Sequence, residues 1–290
     1  MEITAETAKE LIHSAADAVA EHNIWSGKLP PHLLPSITPC EVFGAIKTYW
    51  HSLTPHSLRL SRDGKIHPAT QITIHRLDTR LADGMEYADV ERLFKEGYTI
   101  VYRQLANRHP SISLLASSIC NAFSAWPSIN LYLTPPGGQG FAEHADDHDV
   151  LIFHCFGSKI WSFRSGSTVP NESTLSPGAI LFLPEGIRHS ARASSSSSIH
   201  LTIGFRPPSM DQYFAWLGER IHKLGTKSQY LGKGISVSES VLLACQSNWS
   251  SYLNECRRGF GRATLGKQNK GAETDENGNH RNASTESNDK

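Results

Sequence analysis

Five short runs rich in β-branched and aromatic residues lie between residues 129 and 205: Ile129–Leu133, Val150–Cys155, Lys159–Phe163, Ala179–Leu183 and Ile199–Phe205. Gly, Pro, Asn and Ser separate them, so none can grow into a helix. Strands this short, with turn signals this dense, predict a β-barrel or sandwich. Upstream, Leu58-Arg-Leu60 reads as a strand that stops at the turn pair Asp63-Gly64, and Tyr98–Tyr102 as another. Helical spacing appears at Ala8, Leu11, Ile12, Ala15, Ala16 and Val19, over 88–96, and over 110–123. Residues 26–56 carry five prolines and are expected to be irregular, with one short helix near Val42–Trp50.

After Pro207-Pro208 helical patterning returns. One stripe runs through Met210, Tyr213, Phe214, Leu217, Ile221 and Leu224, and a second follows the capping box Ser236–Glu239. From about Gly261 the sequence is polar and poor in apolar residues, the composition of a disordered tail. The division is therefore 1–56, a helical and irregular segment; 57–208, the β domain; 209–260, a small helical region; and 261–290, the tail. Tyr213, Phe214, Trp216 and Trp249 are many aromatics for two short helices, and a homodimer would use them.

Charge narrows the function. The 28 basic and 28 acidic side chains leave a formal net charge of zero, so no overall basic field favours direct nucleic acid binding. No apolar run reaches the ~18 residues of a membrane span. The amphipathic, acidic N-terminus lacks the pattern of a secretory signal. The five cysteines are odd in number and without CxxC spacing, which points to a reducing compartment and a cytoplasmic protein.

The chemistry gathers between Asn130 and His189. A Pro-Pro-Gly-Gly turn precedes His144-Ala-Asp146. In extended backbone, residues i and i+2 point to one side, so an imidazole and a carboxylate converge. A further turn, an apolar strand and a second turn, Pro177 to Arg188, deliver His189 to a strand mouth. Two histidines and one carboxylate on one face of a metal leave open positions, the facial triad of non-haem Fe(II) oxygenases. A structural zinc site would be closed, usually by cysteines, and none stands here. Each part has a plainer reading: a solvated loop would explain Asp147, His148 and Asp149, and a surface histidine would explain His189. The ordered series of motifs is what sets those readings aside.

That series resembles the JmjC-type, cupin-like 2-oxoglutarate oxygenases, in particular their ribosomal-oxygenase branch. The stretches that carry the resemblance are NLYLTPPGGQGF, HADDHDV, GSKIW, PGAILFLPEGIRH and SIHLTIGF, with LRLSRDGKIHP upstream. It covers roughly Ser57 to Pro208. It implies a mainly β fold with flanking helices: a double-stranded β-helix, the cupin/JmjC jelly roll. It further implies Fe(II) held by His144, Asp146 and His189, with 2-oxoglutarate and O2 as cosubstrates. Lys159 would pair with the far carboxylate of 2-oxoglutarate, and Thr134 would stand near it. Asn130, Tyr132 and Ser198 match positions that face a protein or peptide substrate. The implied reaction is hydroxylation of a C–H bond in an amino-acid side chain, with N-methyl demethylation as the alternative within the class. A metal-binding cupin module without turnover is the alternative outside it; Lys159 is the discriminating residue, since such a module has no reason to bury a cation there.

Two departures stand out. Ribosome-directed members usually follow a helical dimerisation region with a winged-helix domain, whereas here two helical stretches lead into the polar tail. Family members also often carry glutamine where His154 stands.

Overall fold

The computed structural model describes residues 3–33, 37–72, 80–81, 84–165, 169–206, 213–215, 217 and 249–254. Helices α1 (Ala5–Glu21) and α2 (Pro39–Tyr49) flank strand β1 (Trp25–Lys28). Next come β2 (Leu58–Arg62), β3 (Lys65–Ile66), α3 (Tyr87–Lys95), β4 (Thr99–Tyr102) and α4 (Pro110–Phe123). Eight strands then follow without an intervening helix: β5 (Ser128–Thr134), β6 (His144–Ala145), β7 (Asp149–Phe156), β8 (Lys159–Arg164), β9 (Asn171–Leu175), β10 (Ala179–Leu183), β11 (Arg188–Ala193) and β12 (Ser198–Phe205).

These eight divide between two sheets. A large sheet has the order β1-β10-β7-β12-β5-β4-β2-β3 and a small one β6-β11-β8-β9. The backbone passes from β5 to β6, back to β7, over to β8 and β9, back to β10, over to β11 and home to β12. This winding is the double-stranded β-helix.

The period-two alternation of strands gives the large sheet two different faces. Ile129, Leu131 and Leu133 of β5, Leu151 and Phe153 of β7, Ile180 and Phe182 of β10 and Ile199, Leu201 and Ile203 of β12 join one apolar core with residues of all four helices. Side chains of the opposite parity point between the sheets. There Val150, Ile152, Leu181 and Leu183 meet Trp161 of β8 and Leu175 of β9 in a second, smaller core. The inter-sheet space is thus apolar at one end, and the polar residues of β5, β7 and β12 are left for the other.

Three of the longer strands escaped the sequence reading. β1 lies at the edge of the large sheet, pairing Trp25 with Phe182 and Lys28 with Ala179. An edge strand needs backbone partners on one side only, so Trp-Ser-Gly-Lys carries no apolar alternation to betray it. β9 and β11 belong to the small sheet, and their outward residues are polar or half-exposed. His189 consequently stands inside a strand and not at its mouth.

Of the helical region, Tyr213 and Tyr252 are buried against each other and against Leu217, Trp249 and Leu253. These aromatics are engaged with one another, while Phe214 is 53% exposed. The remainder of that region, Trp216, the capping box at 236–239 and the tail 261–290 lie outside the described residues. No described helix is long and apolar enough to cross a membrane.

The turn from β7 to β8 hinges on Gly157, at φ +65°, where a Cβ would run into the Ser197 carbonyl oxygen. Gly157→Ala should lower stability by more than about 2 kcal/mol, since both the left-handed backbone and the overlap oppose it. Urea unfolding of the variant beside the wild type checks this.

Candidate metal centre

β6 and β11 pair so that His144 and His189 are direct cross-strand partners. Their rings lie 4.5 Å apart between centroids. Asp146 follows one residue after β6 and completes the group: its Oδ1 is 3.8 Å from His144 Nε2 and its Oδ2 is 3.6 Å from His189 Nε2. One ligand atom from each residue lies within 4.8 Å of the others. The far ring nitrogens are occupied. His144 Nδ1 donates to the Ala142 carbonyl at 2.9 Å, and His189 Nδ1 to the Ile187 carbonyl at 3.0 Å. That fixes the tautomer and leaves each Nε2 with a lone pair aimed at the shared point, the arrangement a metal requires. Burial, with the neighbouring His144, holds His189 below the ordinary imidazole range, so it is neutral and ready to ligate.

The polar residues beside the triad fasten its loop. Gly186 N–H donates to the Asp146 carbonyl at 2.9 Å. Arg206 pairs with the Asp147 carboxylate at 2.6 Å and also meets its carbonyl. Buried Asp149 accepts from Glu185 N–H and from His22 Nε2, both at 2.9 Å, which ties the end of α1 to the barrel. Glu143 accepts from Arg164 and Arg188, each at 2.7 Å, and the two arginines hold it below the usual carboxylate range. The run of acids and His148 around Asp146 is therefore a buttress for the centre.

Deeper between the sheets lies Lys159, at the start of β8 and 2% exposed. Its Nζ donates to Thr134 Oγ1 at 2.8 Å and stands 3.5 Å from His200 Nδ1. Burial pushes this ammonium down to about 7. Register explains the company. On the face of the large sheet turned inward, Thr134 pairs with Ser198, Tyr132 with His200, and His200 with His154. The Tyr132 and His200 rings stack at 4.7 Å, and His200 is parallel to His154 at 6.5 Å. Trp161 sits between the two ends of the space, 6.0 Å from His189 and 5.2 Å from His200.

Of the other residues singled out in the sequence, Ser198 is fully buried beside Thr134. Asn130 Oδ1 accepts from Gln104 N–H at 3.2 Å. Tyr132 reaches toward the triad through Phe141, which lies 6.0 Å from it and 5.9 Å from His144. Sequence reasoning passed over His200 and Trp161. The signal was present: in Ser198-Ile-His200-Leu-Thr202 every second residue of an otherwise apolar strand is polar. Three buried atoms here, Ser198 Oγ, Trp161 Nε1 and His154 Nδ1, have no hydrogen-bond partner among the described residues. Native interiors leave few such atoms, so a polar ligand fits this space.

Comparison with known proteins agrees with the resemblance read in the sequence. Residues 107–213 match the JmjC domain. A bifunctional lysine-specific demethylase and histidyl-hydroxylase NO66 of Dictyostelium discoideum is 30% identical over 131 residues, 38% of this chain and 26% of that protein. Its namesake from Branchiostoma floridae is 37% identical over 90 residues, 31% of this chain and 14% of that protein. Rat ribosomal oxygenase 1 is 30% identical over 115 residues, 32% of this chain and 19% of the relative. The matches therefore span about a quarter or less of the length of these relatives. Among solved structures, the Escherichia coli ribosomal oxygenase YcfD is similar with a TM-score of 0.48 and 15% identity, covering 83% of this chain and 65% of that one. YcfD in complex with cobalt and 2-oxoglutarate gives a TM-score of 0.47 at 16% identity, covering 85% and 67%.

Lys159, buried with no acid beside it among the described residues, destabilises the barrel. Its proton is bound more weakly in the folded protein, about 7 against about 10.4 unfolded, so the penalty is full below pH ~7 and fades as pH rises toward ~10. Lys159→Met should accordingly raise the melting temperature of the ligand-free protein near neutral pH, by the equivalent of a few kcal/mol. The gain should shrink at alkaline pH, which a pair of thermal melts at pH 7 and pH 9.5 will show.

Proposed function

We propose that this protein is an Fe(II)- and 2-oxoglutarate-dependent oxygenase that hydroxylates a C–H bond in an amino-acid side chain of a protein or peptide. The observation that carries the reading is the pairing of two sites within one interior. One is a His-Asp-His group with both Nε2 lone pairs free, and the other is a buried lysine that has no counter-anion among the described residues. Fe(II) supplies the redox chemistry that couples oxidative decarboxylation of 2-oxoglutarate to transfer of one oxygen atom from O2.

The protein's own residues bind and orient. His144, Asp146 and His189 hold the metal, and the backbone carbonyls of Ala142 and Ile187 keep the imidazoles in the required tautomer. Lys159 anchors the far carboxylate of the cosubstrate through a charge-assisted hydrogen bond, with Thr134 beside it; Ser198, expected from the resemblance to face the substrate, is fully buried beside Thr134 and joins this pocket instead. The apolar second core closes one end of the barrel to water. Asn130 and Tyr132, half-buried on the same inner face, stand where the target side chain enters. N-methyl demethylation begins with the same C–H hydroxylation and would use the same residues; hydroxylation is the simpler outcome, since it needs no methylated target. Homodimerisation through the helical region belongs to the same reading, and the exposed ring of Phe214 would serve it.

His144→Ala, Asp146→Ala and His189→Ala should each abolish iron-dependent conversion of 2-oxoglutarate to succinate while the barrel stays folded. Survival of most of the turnover in any of the three would remove that residue from the centre. Lys159→Ala should raise the apparent constant for 2-oxoglutarate by roughly two to four orders of magnitude, because a buried carboxylate loses its partner. Lys159→Arg should be far milder. An unchanged constant in Lys159→Ala would favour the cupin binding module instead. The target is sought by incubating cell extracts with the enzyme and scanning peptides for the gain of one oxygen atom.

A further inference from the structure

Among the described residues, every group that faces Lys159 is neutral or cation-forming. Thr134 and Tyr132 approach from β5, Ser198 and His200 from β12, and His154 from β7. Thr99 of β4 lies behind Thr134, with 3.3 Å between the hydroxyls. Trp161 is the next inward residue of β8 itself, and His189 is the ionisable group of β11 on this side. Among the described residues the acid on this interior is Asp146, and it stands with the other triad members. Neither nearby imidazole can offset a positive charge. His154 Nε2 donates to the Gly157 carbonyl at 3.0 Å, and burial pushes that ring down to about 4. Burial, then Lys159 itself, holds His200 well below the ordinary range.

An amine in such a place has two low-energy conditions. It is uncharged while the pocket lacks an anion, or it is charged against one. A hydrogen bond to Thr134 Oγ1 and a contact with the His200 Nδ1 lone pair suit the amine in both. We propose that Lys159 takes its proton as the cosubstrate arrives, so that the dicarboxylate and one proton bind together. The proton comes from solvent buffer and goes to the Nζ lone pair; the product is one ammonium–carboxylate pair, and nothing is oxidised or reduced. The inference rests on the reading of Lys159 as the carboxylate anchor and adds to it the charge of the empty pocket.

The consequence is a pH window. Below about pH 7 the amine already carries its proton, so affinity is flat. Above it, each pH unit should weaken 2-oxoglutarate binding about tenfold, until the proton affinity of the filled pocket is reached.

Calorimetric titration of 2-oxoglutarate into the Zn(II)-loaded 290-residue chain, in buffers of different ionisation enthalpy, reads the proton directly. At pH 8.5 the observed enthalpy should vary with buffer enthalpy at a slope near one proton taken up, falling toward zero at pH 6. Lys159→Arg should bind with little uptake and a nearly flat affinity from pH 6 to 9, because its guanidinium is always charged. Tight wild-type binding without uptake overturns the inference and leaves the oxygenase reading standing. Uptake that persists undiminished in Lys159→Arg overturns it too, since the proton then belongs to His154 or to a solvent ligand of the metal. Failure of the wild type to bind 2-oxoglutarate at all overturns the oxygenase reading, and this inference with it. Carbon NMR of lysines labelled at Cε gives a check without substitution: one lysine should titrate near neutrality in the empty protein and not below pH 9 with 2-oxoglutarate bound.

Discussion

A strand that buries one face against helices must send every second side group the other way. In β5, β7 and β12 the residues of one parity, from Ile129 to Phe205, serve the helix-side core. The backbone then has no choice about Thr134, Tyr132, His154, Ser198 and His200: they point between the sheets. Slipping any of these strands by one residue would exchange the two sets and destroy core and site together. The apolar core thus fixes the register that aligns the polar pocket.

The small sheet plays the complementary part. Its pairing of His144 with His189 brings together residues 45 positions apart without a loop having to close on them. A centre built on paired strands is held more firmly than one on loops. Asp146 sits just past the end of β6, and the contacts of Gly186, Arg206 and Asp149 around it restrain the stretch that is not strand. The end with the His-Asp-His group and the end with Lys159 are then joined by Trp161, which packs toward His189 and His200.

Much of this was legible before the structure. The five apolar runs between 129 and 205 became β5, β7, β8, β10 and β12, because buried strands must be rich in Ile, Leu, Val and Phe. His144, Asp146, His189 and Lys159 could be singled out because turn residues and apolar strands surround them at fixed spacing. β1, β9 and β11 were not legible as strands, lying at an edge or in a half-exposed sheet where propensity says little. His200 was hidden for another reason. Its place in the period-two polar pattern of β12 was visible, but that Tyr132 and His154 lie on either side of it is set by cross-strand register. The absence of an acid around Lys159 is likewise a property of three dimensions, since the local sequence around Asp146 is crowded with carboxylates that the fold turns elsewhere.

The central claim is that one interior holds metal and 2-oxo acid side by side. Its most direct test is the visible charge-transfer absorption that arises when a 2-oxo acid chelates Fe(II). Anaerobic addition of Fe(II) and 2-oxoglutarate to the protein should produce this band in a one-to-one ratio with the polypeptide. A variant lacking His189 should not show it. Tight binding of both Fe(II) and 2-oxoglutarate without the band would mean that they occupy separate places, and would contradict the account.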